Sequence, residues 1–437
     1  QTMKHFLRFP LLLVLASVFL SSCIKDSCKQ TLTYVAYDPV YLTFDELRAL
    51  GNTEAPRELH QPGKMYFKDG YIFINEVGKG IHVIRNTDPA NPENLAFINL
   101  PGSHDLAAKG NVLYADSYTD LVAIDITDPT NTSVIEREED VFPYGSWHNG
   151  LYADAEFGVA IDWIETEVTE EVECSAGGFN ILPRNGFLMD EAFAVRNFSS
   201  NGNQNNQPTS GNEVSTGVGG SLARFTIVNQ YLYTVTGTAL KVFDIATLEN
   251  PEYRRDVEIG WGIETIFPYQ NTYLMIGSQT GMFVYGLDNP EEPNQLSNFE
   301  HARRCDPVVA ENDIAYVTLR GGGPCGGFES QLDVIDIKNI NNPQLIRSYV
   351  MEGPYGLGIR NGVLFVCDGE AGLKVYDAAD PEKIDQNQLA HFPDISAFDV
   401  IPLYNVLLLI GADGFYQYDY SDLTDIKLLS VIPVEEI

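Results

Sequence analysis

Positive charge is scarce in this chain: 27 Lys and Arg stand against 61 Asp and Glu, for a net charge of −34. A chain this acidic repels phosphate backbones and anionic headgroups, which argues against nucleic acid and anionic membrane surfaces as partners. Metal-ligand spacing is missing as well. There is no HExxH, no DxDxDG loop and no CxxC or CxxH pair, so the sequence implies no metal and no cofactor. Helical periodicity is almost absent, and LTFDELRAL from Leu42 is the one stretch that could make a helix. The apolar run LLLVLASVFL, Leu11 to Leu20, is too short to span a bilayer.

That short run follows Lys4 and Arg8 and ends in Leu20-Ser21-Ser22-Cys23, which fits a bacterial lipobox. Residues 1–22 are therefore expected to be a lipoprotein signal peptide, with Cys23 the lipidated N-terminus and the membrane a partner through that anchor. A plain secretory signal is the alternative. Removing Lys4 and Arg8 leaves 25 basic against 61 acidic side chains, a charge of −36. Residues 23–60 read as a tether and N-terminal packing segment, and 61–437 as the folded body.

What the chain does have is one phrase in seven versions. GIHVIRNTDP starts at Gly80, DLVAIDITDP at Asp120, ALKVFDIATLENP at Ala239 and GMFVYGLDNP at Gly281. QLDVIDIKNINNP follows at Gln331, GLKVYDAADP at Gly372 and GFYQYDYSDLTD at Gly414. Each begins with the alternation of a strand and ends in Asp, Asn and Pro, which stop one. Marker residues after each apolar core are Arg85, Asp125, Asp244, Gly286, Asp336, Asp377 and Asp419. Four of their steps are 40, 42, 41 and 42 residues, one is 50 and one is 119. About 40–45 residues is the length of one four-stranded propeller blade. Hairpin-like apolar pairs joined by KGN, END or RNG precede the phrases, and one more short run follows each, giving strands A to D from the inside outward. The expected fold is all-β, a seven-bladed β-propeller of four-stranded blades. Six or eight blades are the alternatives, since GVAIDWIETEVTEEVE within the 119-residue step could be a degenerate blade.

Strands such as LVAID and LDVID, repeated over most of residues 60–437, resemble the LVIVD-repeat β-propeller family. The resemblance implies a lipoprotein of Bacteroidetes-type bacteria and brings no established activity with it. It is consistent with an outer-membrane, lipid-anchored location. Whether the protein faces the periplasm or the cell surface is left open.

In a propeller, D–A and B–C connections share one face, here called the top. The 119-residue step places an insertion at about 142–219 between strand D of repeat two and strand A of repeat three, and it is expected on that face. Loops on a rigid scaffold concentrate binding residues. The candidates at strand-A entrances are His104, Asp105, Trp261, Glu264, Arg303, Arg304, Asp306 and Tyr355; those in the insertion are Trp147, His148, Asp162 and Trp163. Arg303 and Arg304 could clamp a carboxylate or phosphate, or pair with Asp105, Asp306 or Glu264. Indoles beside carboxylates could form a carbohydrate platform or simply pack. Cys305 starts strand A of repeat five, and Cys325 lies in its enlarged B–C loop, at the same level. Adjacent strands are about 4.8 Å apart, compatible with a disulfide. The expected function is a binding or protein-interaction module on the envelope, whose partner is an unknown envelope protein or glycan. The alternative is a glycan-binding or glycan-cleaving enzyme of the cell surface, but no motif ties two acids into a catalytic pair.

Overall fold

A computed structural model describes residues 29–146, 152–173, 215–300, 307–321 and 329–435. The chain divides into two compact units, residues 1–40 with 162–188, and 41–161 with 189–437. In the smaller unit, stretches of Lys29–Leu42 and Gly158–Glu173 are neighbouring strands of a ribbon. Hydroxyls of Thr33 and Thr169 meet at 3.1 Å and Thr166 bonds Asp38, so the two runs are antiparallel.

The larger unit is all-β and built as propeller blades. Among the described residues, seven antiparallel sheets each hold one copy of the repeated phrase as third strand. Their innermost strands are Pro62–Lys68, Leu106–Lys109, Phe225–Val228, Ile263–Tyr269, Val308–Glu311, Leu357–Arg360 and Ala397–Pro402. Each packs against the next in this order, and Pro62–Lys68 packs against Val406–Gly411 of the last sheet. Buried Ile, Val, Leu and Phe from facing sheets fill the spaces between them.

The phrase's ending has a local cause. The side chains of Asp125, Asp244, Asp336, Asp377 and Asp419 each accept the backbone N–H two residues on, at 2.8–2.9 Å. These Asx turns end strand C and start the bend to strand D. On the other side of the bend every sheet carries the same β-bulge. The extra residue is Leu95, Ile135, Arg254, Leu296, Ile346, Leu389 or Leu429. An extra residue locally increases the twist; it is Leu or Ile in six sheets, and in the third it is Arg254, whose guanidinium bonds Asp244 at the turn. Leu296 reaches 3.1 Å from where a side chain on Gly286 would begin. The END and RNG turns have paired positive φ at Asn312 (51°) with Asp313 (62°) and at Asn361 (51°) with Gly362 (78°). These are type I′ hairpins, as their composition predicts.

Neighbouring sheets are joined by hydroxyls onto the next C–D turn. Tyr114 donates to Leu248 O, Tyr233 to Pro290 O, Ser297 to Ile340 O and Tyr349 to Pro381 O, all at 2.6–2.8 Å. Ser430 of the last sheet makes the equivalent bond to Pro89 O of the first, at 2.7 Å.

Residues 41–60 do more than tether. LTFDELRAL yields the short helix Phe44–Arg48, started by a capping box between Thr43 and Glu46. Its Arg48 grips Asp120 of the second sheet at 2.9 Å. Thr53–Glu54 adds an outer strand to sheet one, and Leu59 bridges Val434 beyond the last strand.

The end of the insertion departs from expectation. Residues 215–222, STGVGGSL, do not lie on the top face. They run between the innermost strands. Gly110 N–H donates to Ser215 O and Gly217 N–H to Ala108 O. Val218 and Gly219 pair with Phe67 and Tyr66 on the inner edge of sheet one. Ser221 then reaches Asp399 of the last sheet and accepts from Leu357 N–H of the sixth. The Gly110 end belongs to the A–B turns, and Leu357 begins a strand A. The chain therefore leaves repeat two at one face and rises through the axis from the other.

Candidate functional site

The strand-A entrances converge around the end of this inner strap. Asp105 Oδ2 accepts Lys64 Nζ at 2.6 Å and also the Arg224 backbone N–H. Its Oδ1 caps Leu106 N–H at 2.7 Å. One oxygen of Asp116 accepts the backbone N–H groups of His104 (2.7 Å) and Asp105 (2.9 Å). Lys64, His104, Asp105 and Asp116 are all buried. Burial holds Lys64 below the usual lysine range against the pull of Asp105. Across the axis, Asp399 accepts Ser221 N–H and Oγ–H, both at 3.1 Å.

Burial is the chief reason the Asp116 carboxyl is pushed up to about 6, and the Asp105 charge adds to it, against the two N–H bonds. The folded pKa lies above the ordinary value near 4, so the fold favours the protonated acid. Its stabilisation is whole below pH about 4 and is lost as pH rises through about 6. Asp116→Asn keeps an acceptor for both N–H groups and removes this loss. Chemical denaturation at pH 8 should find the variant about 3 kcal/mol more stable than wild type, with the gain vanishing near pH 4. Equal stability at both pH values would show that Asp116 is ionised without penalty.

Tyr355 lies under the Arg320 guanidinium, 3.9 Å from its centroid, with its ring 5.3 Å from Phe398. Glu264 accepts Gln279 Nε2 at 2.9 Å. Trp261 follows the third sheet's outer strand, between Gly260 and Gly262, and is 58 % exposed. Asp162 and Trp163 belong to the smaller unit, where Trp163 N–H donates to Asp162 at 2.8 Å. Cys23, Trp147, His148, Arg303, Arg304, Cys305, Asp306 and Cys325 lie outside the described residues, and with them the lipidation and disulfide expectations.

Arg303 and Arg304, weighed as a clamp for a carboxylate or phosphate or as partners of Asp105, Asp306 or Glu264, lie outside the described residues; among the described residues Asp105 is held by Lys64, 41 positions away. Lys64, Asp116, Ser221, Arg224 and Asp399 were not singled out from the sequence. They carry no motif, and only the circular order of the sheets brings them together. Among the described residues no group of three or more His, Cys, Asp or Glu is placed to hold a metal ion. The carboxylates of Asp105, Asp116 and Asp399 accept internal bonds, and Trp261 is more than half exposed.

No family model matches the chain, and no curated protein matches it. Solved structures that resemble it include a computationally designed protein, Ika8, at TM-score 0.49 and 11% identity, covering 87% of this chain and 90% of that one. Saccharomyces cerevisiae Sqt1 resembles it at TM-score 0.49 and 8% identity, covering 89% and 90%. A functionally unknown protein from Desulfotomaculum acetoxidans does so at 0.48 and 11%, covering 86% and 100%.

Proposed function

We propose that the chain is a seven-bladed propeller of the LVIVD-repeat kind, anchored to the outer membrane through lipidated Cys23, that binds a partner on its top face. The observation that carries the binding reading is Trp261. It is a largely exposed indole between two glycines, in an entrance loop of a scaffold whose axial carboxylates Asp105, Asp116 and Asp399 already accept internal hydrogen bonds. Binding needs a preformed face. Catalysis needs a reactive group left available, and the axial acids are engaged in holding sheets together. Seven sheets with one phrase each, packed in sequence order, support the blade count.

A glycan is the partner best suited to an exposed indole, since a sugar ring offers it an apolar face. One experiment addresses anchor and face together. Cys23→Ala should move the protein from the membrane to the soluble fraction of its host. The released chain, placed on a glycan array, should bind a subset of glycans. Adding Trp261→Ala should weaken that binding at least about tenfold, the effect of losing one anchoring aromatic. Membrane retention of Cys23→Ala would overturn the anchor, and binding unchanged by Trp261→Ala would overturn the face.

A further inference from the structure

The geometry points to residues 215–222 as a peptide bound in cis, held in a site on the axis that takes an extended chain and can release this one. The inference extends the binding reading to a second site and a stated partner chemistry: an extended segment lacking side chains at two positions and carrying a hydroxyl at a third.

The strap is held as an added strand. Val218 and Gly219 pair antiparallel with Phe67 and Tyr66, and Thr216 bridges Lys109. This is strand addition to a sheet edge, in which main-chain bonds give affinity and side-chain positions give selectivity. Selectivity here rests on absent side chains. A Cβ on Gly217 would strike the Tyr66 ring and come within 2.7 Å of Phe67 O. A Cβ on Gly220 would fall on the Asp399 carboxylate. Two hydroxyls complete the fit. Ser215 receives Lys68 Nζ at 2.8 Å and contacts Asp69, while Ser221 donates to Asp399 and accepts Leu357 N–H at 2.6 Å.

What holds the strap differs from what holds the sheets. Leu222 is the one buried apolar side chain of the segment, Val218 is only half-buried, and the other residues from Ser215 to Ser221 are Ser, Thr or Gly. The strands it touches are anchored by clusters of buried Ile, Val, Leu and Phe. Segments with few buried apolar contacts open locally at lower free energy than the core around them. Release would expose the inner edge of Pro62–Lys68 and the Asp399 carboxylate to a chain of the same chemistry.

Hydrogen exchange on the full-length, unmodified protein tests the release. The amides of Gly217 and Ser221, bonded to Ala108 O and Asp399, should exchange at least about a hundred-fold faster than those of Phe73 and Val83 in sheet one. Exchange at the same rate would mean that the strap opens only with global unfolding, and the inference fails. Occupancy in trans is tested with a labelled peptide, STGVGGSLAR, the sequence of residues 215–224. It should bind the full-length Gly217→Val/Gly220→Val variant, whose own strap no longer fits, and bind wild type at least tenfold more weakly. A variant that unfolds cooperatively yet ignores the peptide overturns the site. If the variant does not fold, the exchange measurement on wild type decides. Neither readout involves Trp261 or glycan, so failure here leaves the top-face reading standing, and failure there leaves this one.

Discussion

Asp120→Ala should lower the unfolding free energy by about 3–5 kcal/mol, the cost of leaving the nearly buried Arg137 unpaired. Asp120 opens the second copy of the repeated phrase, where Gly80, Gly281, Gly372 and Gly414 open others. Its side chain is fully buried. It accepts Arg48 at 2.9 and 3.1 Å, Arg137 at 3.3 Å, Asp140 N–H at 3.0 Å and Thr119 Oγ–H at 3.1 Å. Burial alone would raise its pKa, but Arg48, the Asp140 N–H and Arg137 outweigh it and hold the carboxyl below the usual range. The linkage is opposite to that of Asp116: this stabilisation is present above pH about 4 and is lost as pH falls below it. Truncation strands Arg137, itself nearly buried, and removes one of the three carboxylates that hold Arg48, the others being Glu139 and Asp140. Chemical denaturation at pH 7 measures the loss. Arg48→Ala should cost less, because Arg137 still neutralises Asp120. Arg48→Ala should also speed proteolysis near residues 44–48. A loss below about 1 kcal/mol for Asp120→Ala would mean that this cluster contributes no more than an exposed ion pair.

That cluster marks the limit of what the sequence discloses. The repeated phrases announce the third strand of each sheet, because alternation and the terminal Asp are local chemistry that each copy writes out in full. The END and RNG turns are legible for the same reason. Asp120 reads as one more variable first residue of a phrase, and its partners lie 72 positions before and 17 after. The bulge leucines are visible as a short run after each phrase, yet a bulge is a register difference between two strands and needs both. The strap is the clearest miss. A tract of Ser, Thr and Gly cannot offset its ordering entropy by apolar burial, so it reads as a loop. It is ordered by main-chain pairing with the first two sheets and, at Ser221, by bonds to Asp399 of the seventh and Leu357 of the sixth, and its glycines serve close approach rather than flexibility. Asp105 was legible as a strand-A entrance, but Lys64 and Asp399 were not, since they join it only because the sheets succeed one another around an axis.

The seam between the last sheet and the first supplies the other large effect. Asn86 and Gln417 face each other there, 331 positions apart, and exchange two side-chain amide bonds of 2.8 Å. Gln417 also reaches Ser430 Oγ at 3.2 Å, and Ser430 holds Pro89 O. Around them Ile72, Ile74 and Ile84 pack against Leu408, Ile410 and Phe415. Among the described residues each of the seven sheets takes its four blade strands from one consecutive stretch of the chain, so none borrows a strand from both ends to lock the two termini together. The seam is held by the apolar cluster, the amide pair, the Ser430 bond and the Leu59–Val434 bridge. Asn86→Leu or Gln417→Leu alone leaves an amide buried without its partner, at about 1–3 kcal/mol for each orphaned donor or acceptor. Each single variant should therefore lose about 3–4 kcal/mol. The double variant removes both polar groups from an apolar surround, and should lose at least about 2 kcal/mol less than the sum of the singles. Denaturation of the four proteins gives the coupling directly. Additive losses would show that the two amides stand independently of one another, and the seam would then rest on its apolar packing and the Ser430 and Leu59 contacts alone.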